Sequence, residues 1–333
     1  MDPLRGEYGF LTDFSIDTEQ ARRRVRDMNA KFGIVEFQFY DAFEGYSGPP
    51  DYGKTEWYNH CSVRIHDNAA KPVKAAVLRA YISEIEKIGG RSWLYIQAAG
   101  CQTGDFESDP RVSKGGSHAG FFDKVRPDAV WAALVARRWA EFAKLHAFSG
   151  IHWDTIGNFE PRAAGSWRED DTYAALLDFL VATKTILQEH GLGQTCNFVD
   201  GQGWRPEMFG AQVGWQGNVV AFPYWEVWTV ASKEDSFFAN FGRAAGGGAV
   251  FVCYPGKPGH MKDDGSCETQ NCNAVGLHPF DLGTLRWLKA KAEGCAYLMI
   301  GDGLQHVQTE YFPDVQGMSP EDVVKLQAAL GRC

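Results

Sequence analysis

The chain has 333 residues, 44% of them hydrophobic and 23% charged, with a net charge of −9 and a sequence pI near 5.5. That length can bury a sizeable core, and the acidic balance gives nucleic acid or an anionic membrane surface nothing to bind by charge. No apolar run approaches the roughly 18 residues that a membrane-spanning helix needs.

Strand-like apolar runs alternate with helical patterns along the chain. YGFLTDF (8–14) comes first, followed by a helical pattern near 18–31. Asp17 and Gln20 have capping-box spacing there, and Gly33 marks the end. IVEFQFY (34–40) precedes a helix near 72–88, and SWLYIQA (92–98) precedes one near 128–147. GIHWD (150–154) precedes a helix near 170–190, and TCNFV (195–199) precedes a short pattern near 205–212. VVAFPYWE (219–226) and AVFVCY (249–254) lead into helices near 232–244 and 280–293. AYLMI (296–300) is the last run, and a closing helix near 320–330 opens on Ser319 and Pro320. Eight such alternations predict an α/β fold, a single (β/α)8 TIM barrel, with residues 1–333 forming one catalytic domain. A doubly wound sheet usually has a glycine-rich turn after its first strand, and Thr12-Asp13-Phe14-Ser15 is not one.

A barrel of this kind carries its chemistry at the C-terminal strand ends. The polar residues fit that expectation. Asp13, Asp41, Gln97, His152, Asp154, Asn197, Glu226 and Tyr254 fall in, at or just beyond the ends of runs. Long loops follow at 41–70, 99–127 and 255–279, as at a built-up site. Among these residues Asp154 and Glu226 stand out. Both are carboxylates in aromatic, apolar sequence, IHWDTIG and FPYWEVW. A pair at the ends of different parallel strands suits glycoside cleavage, where one carboxyl protonates the leaving oxygen and the other attacks or activates water. The competing reading is a buried carboxylate paired with an arginine or a backbone donor.

The motifs around these residues resemble those of glycoside hydrolase family 66, the dextranases and cycloisomaltooligosaccharide glucanotransferases. FQFYD (37–41), GIHWDTIG (150–157), CNFVDGQG (196–203), YWEVW (224–228) and TEYFPD with MSPED (309–322) follow one another in the family's order. The resemblance covers about Tyr8 to Leu330. It implies a retaining hydrolase of α-linked glucan or oligosaccharide, dextranase-like toward α-1,6 bonds. Asp154 would be the nucleophile and Glu226 the acid/base. Asp41 would be a carboxylate in the sugar subsite, lined by Tyr40, His152, Asn197, Tyr224 and Trp228. Trp57, Tyr95 and Tyr254 complete the candidate sugar contacts. No cofactor and no metal are expected, and the partner is an oligosaccharide or polysaccharide. Two segments depart from the family: AFEGYSGPP (42–50) stands where a Trp and a basic stretch are usual, and YIQAAGCQ (95–102) stands where Tyr-Asn is usual. The chemistry should therefore carry over better than the sugar specificity.

Other readings remain open at this level. They are a phosphosugar enzyme using GDG (301–303), a metal hydrolase using His152 and Asp154, a glycosidase for another α-linked sugar, and a non-catalytic sugar-binding barrel. Cys196, Cys253 and Cys295 read as buried thiols. Cys267 and Cys272 share a polar loop and are free, bridged, or part of a zinc site with His260. The N-terminus shows no signal-peptide core, so localisation stays open between an intracellular protein and one whose signal has been removed.

Overall fold

The structure is a computed structural model that describes residues 8–40, 42–59, 71–98, 100–102, 106, 108–110, 112–117, 122–125, 127–156, 169–199, 223–227, 250–253, 296–301, 320, 321 and 324. The strands, in chain order, begin with β1 (Tyr8–Leu11), β2 (Glu36–Phe39), β3 (Glu56–Asn59), β4 (Lys71–Lys74) and β5 (Arg91–Gln97). Then come β6 (Gly100–Gln102), β7 (Val112–Ser117), β8 (Phe122–Val125) and β9 (Gly150–Ile156). The series ends with β10 (Gly193–Val199), β11 (Pro223–Val227), β12 (Val250–Cys253) and β13 (Ala296–Gly301). Four long helices interleave with them: α1 (Thr18–Phe32), α2 (Ala75–Lys87), α3 (Ala129–Leu145) and α4 (Glu169–Glu189).

The architecture is α/β around a parallel sheet. Its strand order is β1-β13-β12-β11-β10-β9-β5-β2, and β1 also pairs with β2, so each of these strands has two parallel neighbours. Each of the eight apolar runs of the sequence holds one of these strands. The helices expected near 205–212, 232–244 and 280–293, most of the one near 320–330, and the pair Cys267 and Cys272 lie outside the described residues.

Local sequence explains the helix ends. Asp17 accepts hydrogen bonds from the amides of Glu19 and Gln20, Gln20 answers on the Asp17 amide, and Gly33 ends the helix at φ 65°. That left-handed conformation suits glycine, which has no Cβ to clash. Asp128 caps α3 by accepting from the Trp131 amide.

Two segments expected to be loop carry strands. β3 and β4 form an antiparallel hairpin, so the helix expected near 72–88 starts at Ala75. Pro72 has no amide to give a ladder, which a two-stranded edge tolerates. Within 99–127, β6, β8 and β7 make a three-stranded antiparallel sheet. Both excursions break the strand–helix alternation only between a sheet strand and its following helix.

The two faces of the sheet differ. On one, Trp153 meets Phe179 of α4 edge-on with centroids 5.1 Å apart. Its indole N–H donates to Gln194, whose amide in turn donates to the Leu180 carbonyl. On the other face, Arg91, Glu36 and Trp93 form the floor. Glu36 accepts from Arg91 Nε at 2.6 Å and from the Trp93 indole at 2.7 Å. Trp93 fits because its neighbour across the ladder is Gly150. A Cβ there would lie 2.7 Å from the indole and 2.2 Å from the Gly193 carbonyl oxygen.

Candidate active site

Above that floor the same sheet face becomes polar. The parallel register sets Trp93 beside Gly150, Tyr95 beside His152, and Gln97 beside Asp154. On the other side of β9, Thr195 lies beside His152. Alternate residues of a strand share a face, so Tyr95 and Gln97 of β5 look the same way as His152 and Asp154 of β9.

His152 is fully buried, and its Nδ1 is 2.7 Å from Thr195 Oγ1. Burial pushes the imidazole well below its ordinary pKa, so the ring is neutral. It stacks on Tyr95 with centroids 6.0 Å apart and planes 21° from parallel. Tyr40 and Tyr46 hold the other sides of Tyr95, at 4.6 Å and 6.1 Å. The hydroxyl of Tyr95 donates to Oδ2 of Asp154. Asp154 is only 7% exposed, and its carbonyl accepts from the Ala98 amide.

β9 is irregular at this point. Trp153 pairs with Cys196 but Ile156 pairs with Phe198, so Asp154 and Thr155 together face Asn197. A bulge of this kind re-aims a side chain and is frequent beside active sites. Across β10, Asn197 pairs with Tyr224 and Val199 with Glu226. Asp154 and Glu226 therefore sit in the C-terminal halves of β9 and β11, at the same end of the sheet, with β10 between them.

Several expected residues stand elsewhere. Trp57 is 2% exposed. Its indole donates to the Ala42 carbonyl, and its ring stacks on Phe43 and meets Phe142 of α3 edge-on. In β3 it is engaged in packing. Asp13 is engaged locally with Ser15 and Arg24. Asp41, Trp228 and Tyr254 lie outside the described residues. Gln97 and Tyr46 were not in the sequence-derived set of sugar contacts. Gln97 lies next to the end of the run SWLYIQA, which was signal enough to place it near the mouth; nothing in the sequence ties Tyr46 to Tyr95. Among the described residues no group of three His, Cys, Asp or Glu could hold a metal ion. No described helix is long and apolar enough to cross a membrane.

A sequence model of glycosyl hydrolase family 66 matches residues 6–328. The chain belongs to this family. Its motifs FQFYD, GIHWDTIG, CNFVDGQG and YWEVW lie on β2, β9, β10 and β11 or run past their C-terminal ends. Among solved structures, the chain is similar to the cycloisomaltooligosaccharide glucanotransferase of Paenibacillus sp., crystallised with cycloisomaltoheptaose. The TM-score is 0.61 and the identity 16%, over 77% of this chain and 39% of that one. A β-galactosidase from the psychrophilic Marinomonas ef1 aligns with a TM-score of 0.57 at 10% identity, over 98% of this chain and 59% of that one. A β-N-acetylhexosaminidase aligns at 0.51 and 12%, over 98% and 76%. At these identities the likeness is one of fold. The family 66 chain described here spans about two fifths of the glucanotransferase's length. No curated protein sequence matches it.

Proposed function

We propose that this family 66 chain is a retaining glycoside hydrolase acting on an α-linked glucan or oligosaccharide, dextranase-like toward α-1,6 bonds. In this reading the eight-stranded parallel sheet is the core of a complete (β/α)8 barrel, and residues 1–333 form one catalytic domain. Asp154 is the nucleophile and Glu226 the general acid and base. Asp41, Tyr40, His152, Asn197, Tyr224, Trp228 and Tyr254 surround the sugar.

One observation carries the proposal. Asp154 sits buried at a strand end with one carboxylate oxygen held by the Tyr95 hydroxyl, and Glu226 lies at the same end of the sheet. A fixed carboxylate with a second carboxyl nearby is what double displacement requires. The loop after Asp41 turns its side chains into packing: Phe43 and Tyr46 are buried, and α3 holds the loop through Trp139 and the Tyr46 carbonyl and through Arg138 and the Ser47 carbonyl. Glu44 of this loop pairs with Lys54. This loop supports a smaller set of charged sugar contacts than a basic stretch would give, and with it weaker activity on long dextran. The test is hydrolysis across dextran, isomaltooligosaccharides, other α-glucans and aryl α-glycosides. Cleavage of none of them overturns the reading, and binding without cleavage favours a sugar-binding barrel.

A further inference from the structure

Gln97 ends β5 directly across the ladder from Asp154. It is 8% exposed, its side chain makes no hydrogen bond among the described residues, and its amide is not sealed from solvent. An amide that reaches solvent on a mostly buried side chain is free to bond whatever enters that space. Around it, the polar groups of the face are already matched: Tyr95 with Asp154, His152 with Thr195, Trp93 with Glu36. The residue shares the face of Tyr95, one step nearer the mouth, and stands beside Asp154 on that face.

We infer that Gln97 is a substrate-binding residue, whose side-chain amide hydrogen-bonds a hydroxyl of the sugar ring that Asp154 attacks. The inference rests on the proposed role of Asp154. The chemistry selects a hydroxyl. A primary amide both donates and accepts, as an O–H group does, and it carries no charge to match a carboxylate or an ammonium group. The preferred substrate is then a neutral sugar at this position rather than a uronic acid or an amino sugar. A site that hydrogen-bonds a hydroxyl also rejects the ring that lacks it, because the amide is left unpaired. Gln97 thereby sets specificity as well as affinity.

The test uses the full chain and 4-nitrophenyl α-isomaltoside, together with analogues deoxygenated one position at a time on the ring bearing the nitrophenyl group. Gln97→Leu keeps the bulk and removes the amide. It should lower kcat/KM on the parent glycoside about ten- to hundredfold. For one deoxy analogue, wild type and variant should become equal, since the contact is already missing, while the deficit persists for the others. A variant equal to wild type on the parent, or a deficit that no deoxygenation removes, overturns the inference. Binding of the parent glycoside to Asp154→Asn protein is measured alongside. Wild type that does not cleave it, with Asp154→Asn protein that does not bind it, overturns the functional reading beneath the inference, and that outcome is distinct from a fully active Gln97→Leu enzyme.

Discussion

Tyr95 of β5 donates its hydroxyl to Oδ2 of Asp154 on the neighbouring β9, and the two residues are 3% and 7% exposed. The contact joins β5 to β9 through side chains, at the point where the pairing of β9 with β10 shifts at Asp154 and Thr155. The phenol has little freedom to move, since Tyr40, Tyr46 and His152 pack around it. His152 is itself held by Thr195. A side chain whose rotamer is fixed by its neighbours presents its oxygen without reorganisation at the moment of reaction.

Tyr95→Phe removes only that hydroxyl. A hydrogen bond to a charged group is worth about 1.5–3 kcal/mol, so kcat should fall about ten- to hundredfold. KM should stay near the wild-type value, because the substitution leaves the ring in place and the lost hydroxyl is bonded to Asp154. Steady-state kinetics on an aryl α-glycoside separate the two constants. A raised KM with unchanged kcat would return Tyr95 to the role of sugar contact that its sequence position suggested.

Gly150→Ala tests the floor beneath the site. The new methyl meets the Gly193 carbonyl at 2.2 Å and Trp93 at 2.7 Å. Overpacking of this kind costs about 1–3 kcal/mol or more. Denaturant unfolding should show a lower midpoint at unchanged slope. Adding Trp93→Leu should recover little, since the closer clash is with backbone. Full recovery by that second change would mean that the indole alone sets the limit.

His152 predicts a pH dependence of stability. Its folded pKa lies well below the ordinary value of 6.5 because burial disfavours the imidazolium. Below about pH 6.5 the unfolded chain binds a proton that the folded one refuses, so stability falls with pH in that window. Glu36 works in the opposite sense: burial raises its carboxyl from 4.5 against the pull of Arg91 and Trp93, and the stability it contributes is lost as pH rises. Comparing wild type with His152→Asn cancels the Glu36 contribution. The drop in Tm from about pH 7.5 to about pH 5.5 should be smaller in the variant. Equal drops would place the source of acid sensitivity elsewhere.

Periodicity and chain order made the scaffold legible. The strands of the sheet are apolar runs between helical patterns, and the capping box at Asp17 and the stop at Gly33 are local chemistry. The hairpin of β3 and β4 was not legible, because it is short and Pro72 argues against a strand by propensity. Position at run ends drew attention to Asp154 and His152 but could not assign partners. Thr195 looked like one more residue of an apolar strand, and only pairing of β10 with β9 brings its hydroxyl to the imidazole. Trp57 shows the converse. An aromatic ring in a loop near a motif suggests a sugar platform, yet Phe43 and Phe142 pack the ring and the Ala42 carbonyl takes its N–H.

The mechanism makes the most demanding prediction. In double displacement Asp154 attacks the anomeric carbon while Glu226 gives its proton to the leaving oxygen; a covalent glycosyl-enzyme forms and the leaving group departs as an alcohol. Glu226 then takes a proton from water, which attacks the same carbon and releases Asp154. Two inversions return the starting configuration. The carboxyls should stand about 5–5.5 Å apart, against about 6.5–9.5 Å for an inverting pair that must admit water between nucleophile and sugar. Because the roles differ, the variants should differ. Asp154→Gly has no nucleophile, so glycosides with good and poor leaving groups should suffer alike. Glu226→Gln has no proton to give, so glycosylation by activated aryl glycosides should be spared far more than cleavage of natural sugars. Azide should rescue Glu226→Ala with retention, by attacking the glycosyl-enzyme, and Asp154→Gly with inversion, by attacking the substrate directly. Proton NMR of the first sugar released by the native enzyme reads the outcome most simply. An inverted anomer would make Asp154 a base that activates water, and the hydroxyl of Tyr95 would then be orienting that base instead of a nucleophile.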